Sequence, residues 1–435
     1  MKSILFLSML VLAVICKAQN PIIQTKFTAD PAPLVYHDTV FLYTGHDEDD
    51  AKNFKMLNWL LYTSTDMVNW TDRGTVASLR DFSWAPDNGA WATQVIERNG
   101  KFYMYCPIHL KGIGVLVSDS PYGPFKDPLG KPFIHQGIDD IDPTVFIDDD
   151  GQAYLYWGNP HCWYVKLNPD MISYSGDIVK ISSKPANYQE GPWFYKRKGH
   201  YYLAYASTCC PEGIGYAMSD TPTGPWVYKG MIMEGDKISS GNHPGIIDYK
   251  GNSYVFGFNY TLNLAQTPTH NERRSVCLAQ LTYNADDTIQ KLPFWSATGT
   301  AQIGTLNPYA RTEAETISLE NGVKTERDKQ AGVFVTDINN DDYIRVRGAD
   351  FGKGAKKFEA SIASASAGAN IEIHVDSLKG ALLGICPVKN TGGWQTWVSQ
   401  ICSVKKVKGV HDIYLVFKGS DGPLFNFNWW KFSTK

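Results

Sequence analysis

The chain has 435 residues, of which 43% are hydrophobic and 20% charged, and its formal net charge is -3. That length exceeds one ordinary domain, and the hydrophobic share is enough to fill buried cores. A near-neutral balance of mixed sign gives no electrostatic reason to expect nucleic acid or an anionic membrane as partner.

The first twenty residues read MKSILFLSMLVLAVICKAQN: one lysine, an apolar run to Ile15, then Cys16, Lys17 and Ala18. This predicts a signal peptide over residues 1–18 and a secreted or periplasmic protein. A lipoprotein is disfavoured because Ile15 stands where a small residue should precede Cys16. No later stretch is long and apolar enough to span a bilayer, so no membrane insertion is expected.

Residues 19–305 carry a fivefold pattern of an apolar strand, a short polar or Gly turn, and a strand rich in aromatics. The five segments are PLVYHDTVFLYTG, TQVIERNGKFYMYC, PTVFIDDDGQAYLYWG, GPWFYKRKGHYYLAYAS and PGIIDYKGNSYVFGFN. Each is followed by sequence for a third and fourth strand, twice with matching punctuation, SDSPYGPF and SDTPTGPW. Period-two alternation, turns of Gly, Pro, Asn and Asp, and few amphipathic helical patterns indicate an all-β chain. Four strands per unit at regular spacing predict a five-bladed β-propeller, with a β-sandwich of similar length as the alternative. From residue 306 to 435 the pattern changes to short alternating strands such as DYIRVRGADFG and ANIEIHVDS, which predict a jelly-roll β-sandwich.

Eight cysteines are present. Without Cys16 an odd set remains: Cys106, Cys162, Cys209, Cys210, Cys277, Cys386 and Cys402. Their spacing fits neither a zinc site nor a dense disulfide framework. Cys386 and Cys402 could pair, although buried thiols are the simpler expectation.

Counting back roughly 13–15 residues from the closing aromatic of each segment reaches Asp30, Trp91, Asp142, Glu190 and His243. In a propeller these positions start the innermost strands and converge on the axis. A proline follows each acid within two residues, which biases the backbone there to an extended strand start. One such Asp-Pro is ordinary turn chemistry, but three acids at one phase of three repeats are not. The run Asp47, Glu48, Asp49 and Asp50, by contrast, reads as a solvated loop tip. Glycosidic bond hydrolysis needs one protonated carboxyl for the leaving oxygen and one ionised carboxylate to activate water or attack the sugar. A third carboxylate nearby raises the pKa of the acid. Acids on different blades would leave room for a water, as in inverting enzymes.

The motifs ADPAP, IDPTVFIDDDG and EGPWFYK, in this order, resemble glycoside hydrolase family 43, whose members are five-bladed propellers and inverting enzymes. The resemblance implies that Asp30 is the general base, Asp142 the residue that tunes and orients the acid, and Glu190 the general acid. It also implies Trp91 as an aromatic wall of the sugar site, Arg274 as a residue reaching into the pocket, and His243 as an axial group beside a calcium ion or a water. Trp193 is a further candidate for the pocket lining, with blade packing as the alternative. The segments EAETISLENG, TGGWQTW and LFNFNWWKF resemble a family 6 carbohydrate-binding module, which implies Trp394 and Asn426 as its sugar contacts. Asp337 stands where a second aromatic is expected, so the usual binding cleft is incomplete.

The function implied is an α-L-arabinofuranosidase on arabinoxylan-type hemicellulose, with a plant cell-wall polysaccharide as partner and a monomer as the working form. A β-xylosidase or exo-galactanase of the same fold is the alternative within this chemistry. A non-catalytic carbohydrate-binding propeller is the alternative from another class, though a lectin has no need of three carboxylates at one phase.

Overall fold

The computed structural model describes residues 20–435 except 183, 238, 240, 296–298 and 367. The expected signal peptide, residues 1–18, lies outside the described residues. Among those described the chain is all-β: its helical content is Thr261–Gln266 and the 3-10 turn Leu79–Asp81. No helix among them is long and apolar enough to cross a membrane.

The first two-thirds of the chain form five antiparallel sheets, each a meander of consecutive strands. Their first strands are Phe27–Tyr36, Gln94–Arg98, Thr144–Ile147, Tyr188–Arg197 and Gly245–Tyr249. Each of these touches the next, and the fifth touches the first, so they form a closed ring. The hairpin turns fix register. Asn99-Gly100, Lys198-Gly199 and Lys250-Gly251 all have positive φ at both residues, the geometry of a type I′ turn, which matches strand twist and favours glycine at the second place.

Neighbouring sheets pack face to face. Tyr154 and Tyr156 of the third sheet share a cluster with Phe194, Leu203 and Tyr205 of the fourth, and Leu42, Leu60 and Trp70 of the first share one with Tyr254, Phe256 and Leu278 of the fifth. Closure between first and last sheets is also made by hydrogen bonds. The chain from Asn20 into the first strand lies along Ser275–Leu281, with Ile22 and Thr28 donating backbone N–H to the Val276 and Arg274 carbonyls at 2.9 Å each, and Asn20 bonding both ways with Leu278.

Two sheets depart from the expected four strands. In the second and fifth, the outer strand shrinks to single bridges, Val117 with Lys126 and Tyr283 with Ile289. In the second, Pro121 and Pro124 lack the N–H a ladder needs. Among the cysteines, Cys386 and Cys402 are free thiols, the simpler of the two expectations, whereas the neighbours Cys209 and Cys210 form a disulfide that the spacing did not suggest.

The remaining chain folds into two sheets around one core that includes Val346, Phe358, Ile371, Ile413, Phe427 and Trp430. It is fastened to the ring at several points. Thr316–Ile317 adds a fifth strand to the first sheet, pairing with Thr71 and Trp70. Buried Asp72 accepts from Lys26 at 2.8 Å and from the Thr325 hydroxyl at 2.7 Å. Asn69 bonds the Arg347 backbone in both directions, and Gln302 donates to Asp66. These contacts replace the edge partners of the first sheet, so the C-terminal part is structural whatever else it does. A chain ending at residue 305 is expected to unfold several degrees lower than the full chain and to aggregate, as followed by thermal unfolding and light scattering. An unchanged Tm would show that the attachment stabilises nothing.

Candidate active site

Four of the five residues at the common repeat phase meet on the ring axis, and proline explains how. Pro31, Pro143, Pro192 and Pro244 stand one or two places after Asp30, Asp142, Glu190 and His243. A proline supplies no ladder N–H, so strands bulge or begin there. The first inner strand shifts register between Ala29 and Ala32, and the fourth between Glu190 and Trp193. The third and fifth begin only after their prolines, at Thr144 and Gly245. Asp30 and Asp142 adopt left-handed backbone, φ 51° and 56°. Such conformations cost about 1–3 kcal/mol each and persist where surrounding contacts over-determine them.

His243 is the hub of those contacts. Its Nε2 donates to Glu190 Oε1 at 2.9 Å and lies 3.9 Å from Asp142 Oδ2, while its Nδ1 faces Asp30 Oδ1 at 3.3 Å without a hydrogen bond. Gly191 fits between: its N–H donates to Asp142 Oδ2 at 3.0 Å, its φ is +56°, and a Cβ there would stand 2.9 Å from the imidazole. Arg274 is buried behind Asp30. It gives Nη1 to both Asp30 oxygens at 2.8 and 3.1 Å, and Nε and Nη2 to Asp47 at 3.0 and 2.9 Å. Asn159, oriented by Gln189, donates to Glu190 Oε2. The side chains of Asp30 and Asp142 are 4% and 3% exposed, that of Glu190 19%, so Glu190 is the acid that a ligand can reach.

The charges are strongly coupled. Burial works against a charged His243, but Asp142, Asp30 and Glu190 outweigh it and lift the imidazole well above its usual range. Burial, with the charges of Glu190 and Asp30 and against the pull of His243, pushes Asp142 up to about 7. Burial also works to raise Glu190, yet the hydrogen bond and charge of His243, helped by Arg274 and Asn159, hold it below the ordinary glutamate value.

Sequence reasoning missed three members of this cluster. Asp47, read there as a solvated tip, is fully buried at the end of the second strand, opposite Phe27, because Arg274 needs a second carboxylate. Asn159 had no motif. Glu212 is buried with Oε2 unpartnered, and burial and the neighbouring Glu190 push its carboxyl up to about 8.

The other expected residues fall as follows. Trp91 is half-buried, stacked on His109 at 4.4 Å, and lies beside two open hollows. One, of about 280 Å³, is lined by Leu110, Ile138, Asn159 and Pro160; the other, of about 650 Å³, by Phe54, Asn88 and Lys111. Trp193 is a packing residue rather than an open sugar platform: it is buried in the core, and its indole N–H donates to Ile246 O at 2.9 Å. Arg274 likewise acts on Asp30 and Asp47 from a buried position. Trp394 and Asn426 are together, with the Asn426 amide donating to Trp394 O at 2.7 Å and accepting from Thr336, while Trp394 is 40% exposed.

Asp142, Glu190 and His243 could each offer one ligand atom to a single ion, all within 4.8 Å of one another. Calcium takes six to eight oxygens, so this set would need water to complete its shell and a deprotonated imidazole.

Residues 18–289 match the family described as Glycosyl hydrolases family 43, and residues 313–434 match Carbohydrate binding module (family 6). The chain therefore belongs to glycoside hydrolase family 43, with a family 6 module at its C-terminal end. It is 35% identical to an arabinoxylan arabinofuranohydrolase of Paenibacillus polymyxa, over 95% of this chain and 74% of that protein. It is 34% identical to an arabinoxylan arabinofuranohydrolase of Bacillus subtilis, over 96% and 92%. Its fold matches the crystal structure of a family 43 arabinoxylan arabinofuranohydrolase from Bacillus subtilis in complex with cellotetraose, with a TM-score of 0.87, 33% identity, and coverage of 96% and 97%.

The raised Asp142 pKa fixes a sign. A carboxyl that binds its proton more tightly in the folded state stabilises the fold at low pH, and that contribution is lost as pH rises from about 4 through about 7. His243, also raised, adds loss in the same direction above its ordinary value. Asp142→Asn should therefore flatten the fall of Tm between about pH 4 and 7. Parallel Tm curves for the two proteins would show that Asp142 is not protonated there.

Proposed function

We propose that the chain is an exported, inverting α-L-arabinofuranosidase that removes single arabinose units from arabinoxylan-type hemicellulose. In this reading residues 19–305 are a five-bladed propeller and residues 306–435 a jelly-roll carbohydrate-binding module. The observation that carries the substrate is similarity along nearly the whole chain, module included, to proteins named for arabinoxylan.

Three features of the site support the chemistry. Asp30 and Glu190 face opposite nitrogens of one imidazole ring. A ring's width plus two contacts suits the carboxyl separation of about 6.5–9.5 Å that leaves space for water in inverting enzymes. Asp30, held by two N–H bonds from the Arg274 guanidinium, is oriented to accept a proton from that water. Glu190, the most accessible of the three, is the acid. In the free site its proton resides on His243, 2.9 Å away, while Asp142, pushed up to about 7, is only partly protonated near neutrality. A sugar that covers Glu190 removes water and disfavours its charge, so the proton moves from His243 Nε2 to Glu190 Oε1 and from there to the glycosidic oxygen. Asp142 keeps Glu190 and His243 in register through Gly191. If calcium binds, Asp142, Glu190 and His243 would hold it with water, and it would supply positive charge at the axis.

The two hollows flanking Trp91 suit the polymer. The smaller adjoins Glu190 through Asn159, and Ile138 and Leu110 stand exposed at 79% and 59% as apolar faces for sugar rings. The single arabinose then enters the axis while the backbone lies outside.

Glu190→Gln should lose arabinoxylan hydrolysis by orders of magnitude while sparing aryl arabinofuranosides with activated leaving groups, which need little protonation. Asp30→Asn should lose both, and proton NMR of the first-formed sugar should show inverted configuration. Equal losses in Glu190→Gln, or a retained product, would sink the assignment. Release of xylose rather than arabinose would favour the β-xylosidase alternative. Ile138→Asp should raise KM for arabinoxylan several-fold and leave nitrophenyl arabinofuranoside turnover unchanged; equal effects on both would place the polymer elsewhere.

A further inference from the structure

A second trough, sharing no lining residue with the axial site, lies along the seam between the first sheet and the C-terminal module. It consists of two adjoining hollows of about 300 and 400 Å³ that share Arg73, Tyr122, Arg311 and Glu313. Three separate parts of the chain build it: the outer strands of the first sheet, the Tyr122 loop of the second, and the connector and hairpin of the module. Such a trough exists only when the module is docked.

Its chemistry is mixed in a particular way. Tyr122 is half exposed, braced edge-on by Phe41 at 5.1 Å, with the Arg73 guanidinium 5.8 Å from its ring centre. Arg311 is neutralised by a bidentate pair with Glu313 at 3.0 and 2.9 Å. Arg327 reaches across from the module to Thr75 O at 3.3 Å. Glu315 lines the same hollow, is 4% exposed, and its Oε2 has no hydrogen-bond partner. Burial, reinforced by Glu313 and Asp72, lifts its pKa well above the usual value, so it enters as a neutral hydroxyl donor. Beyond Arg73 the trough is lined by the hydroxyls of Thr39, Thr63, Thr65, Thr305 and Thr312.

A donor fork, an ionised acceptor, a neutral acid, a row of hydroxyls and one aromatic face recognise vicinal hydroxyl groups on a ring with an apolar side. We propose that this seam is a carbohydrate-binding site for a stretch of hemicellulose chain, distinct from both the axis and the Trp394 end of the module. It anchors polymer while a different segment is trimmed at the axis. The choice of a xylan-type chain rests on the proposed substrate; the recognition of sugar does not.

The test uses the full chain carrying Asp30→Asn, so that polymer is not consumed, in native gels containing soluble arabinoxylan or galactan. Tyr122→Ala and Arg327→Ala should each weaken retardation by arabinoxylan about three- to tenfold. In the otherwise unaltered enzyme both should leave nitrophenyl arabinofuranoside hydrolysis unchanged. Arg327 is exposed, so its variant guards against a folding defect in Tyr122→Ala. Unchanged retardation in both variants, no retardation of the parent chain by either polymer, or loss confined to Trp394→Ala would overturn the site. Weakened retardation by galactan instead of arabinoxylan would uphold the seam and overturn the arabinoxylan reading.

Discussion

The structure depends on a buried balance of charge in which two cations hold four carboxylates. His243 lies among Asp30, Asp142 and Glu190, and Arg274 joins Asp30 to Asp47. None of these groups could be buried alone. Taking away one partner of such a pair leaves an uncompensated charge and costs about 3–5 kcal/mol. The pairs also span the chain: Arg274 meets residues from the first two strands, and it does so only because the ring closes. Its own backbone carbonyl accepts from Thr28, two residues before Asp30. Closing the fold and assembling the site are thus one event, and the left-handed backbone at Asp30 and Asp142 is held by the same contacts.

The fold was legible because a repeat is a geometric statement. Equal phase in the five segments means equal height on five inner strands, so Asp30, Asp142, Glu190 and His243 converge without any knowledge of loops. Prolines in the sequence already marked where each strand would release its functional residue. Position alone does not give direction, however. Arg274 and Trp193 sit near the axis, but one faces two aspartates and the other spends its indole N–H on Ile246 O. Asp47 was hidden within an acidic run that reads as solvent-exposed. Its burial follows from strand pairing with Phe27 and from a cation supplied 227 residues later. Asn159 and Glu212 lie in the connections between the second and third strands of the third and fourth sheets, outside the repeat phase.

The C-terminal part shows a different limit. Its strands were readable from alternation, and Trp394 and Asn426 do meet. Yet Asn426 is committed to the loop it sits under, with its amide on Trp394 O and its carbonyl on Thr336. What the sequence could not show is attachment. Thr316–Ile317 extends the first sheet, and Asp72 is satisfied from both Lys26 and Thr325. Local propensity says nothing about a pairing made across the chain, because the partner edge is defined only after the ring has formed.

Under the proposed mechanism the free site and the working site differ in where one proton lies. With water present, His243 is charged and Glu190 is not yet an acid, an arrangement that lowers the cost of burying Asp30 beside them. The proposed hydrolysis needs the reverse at Glu190. The geometry makes that change small, since donor and acceptor are already hydrogen-bonded and no side chain has to swing. Asp142 is what keeps the exchange local: pushed up to about 7, it meets the cluster as a neutral or half-neutral group near physiological pH rather than as a further full charge. An ionised Asp142 would pin the proton on His243, and an absent one would leave Gly191 without its acceptor and Glu190 without its place. The third carboxylate therefore works through its protonation state and through one backbone hydrogen bond, and both fail together if it is moved.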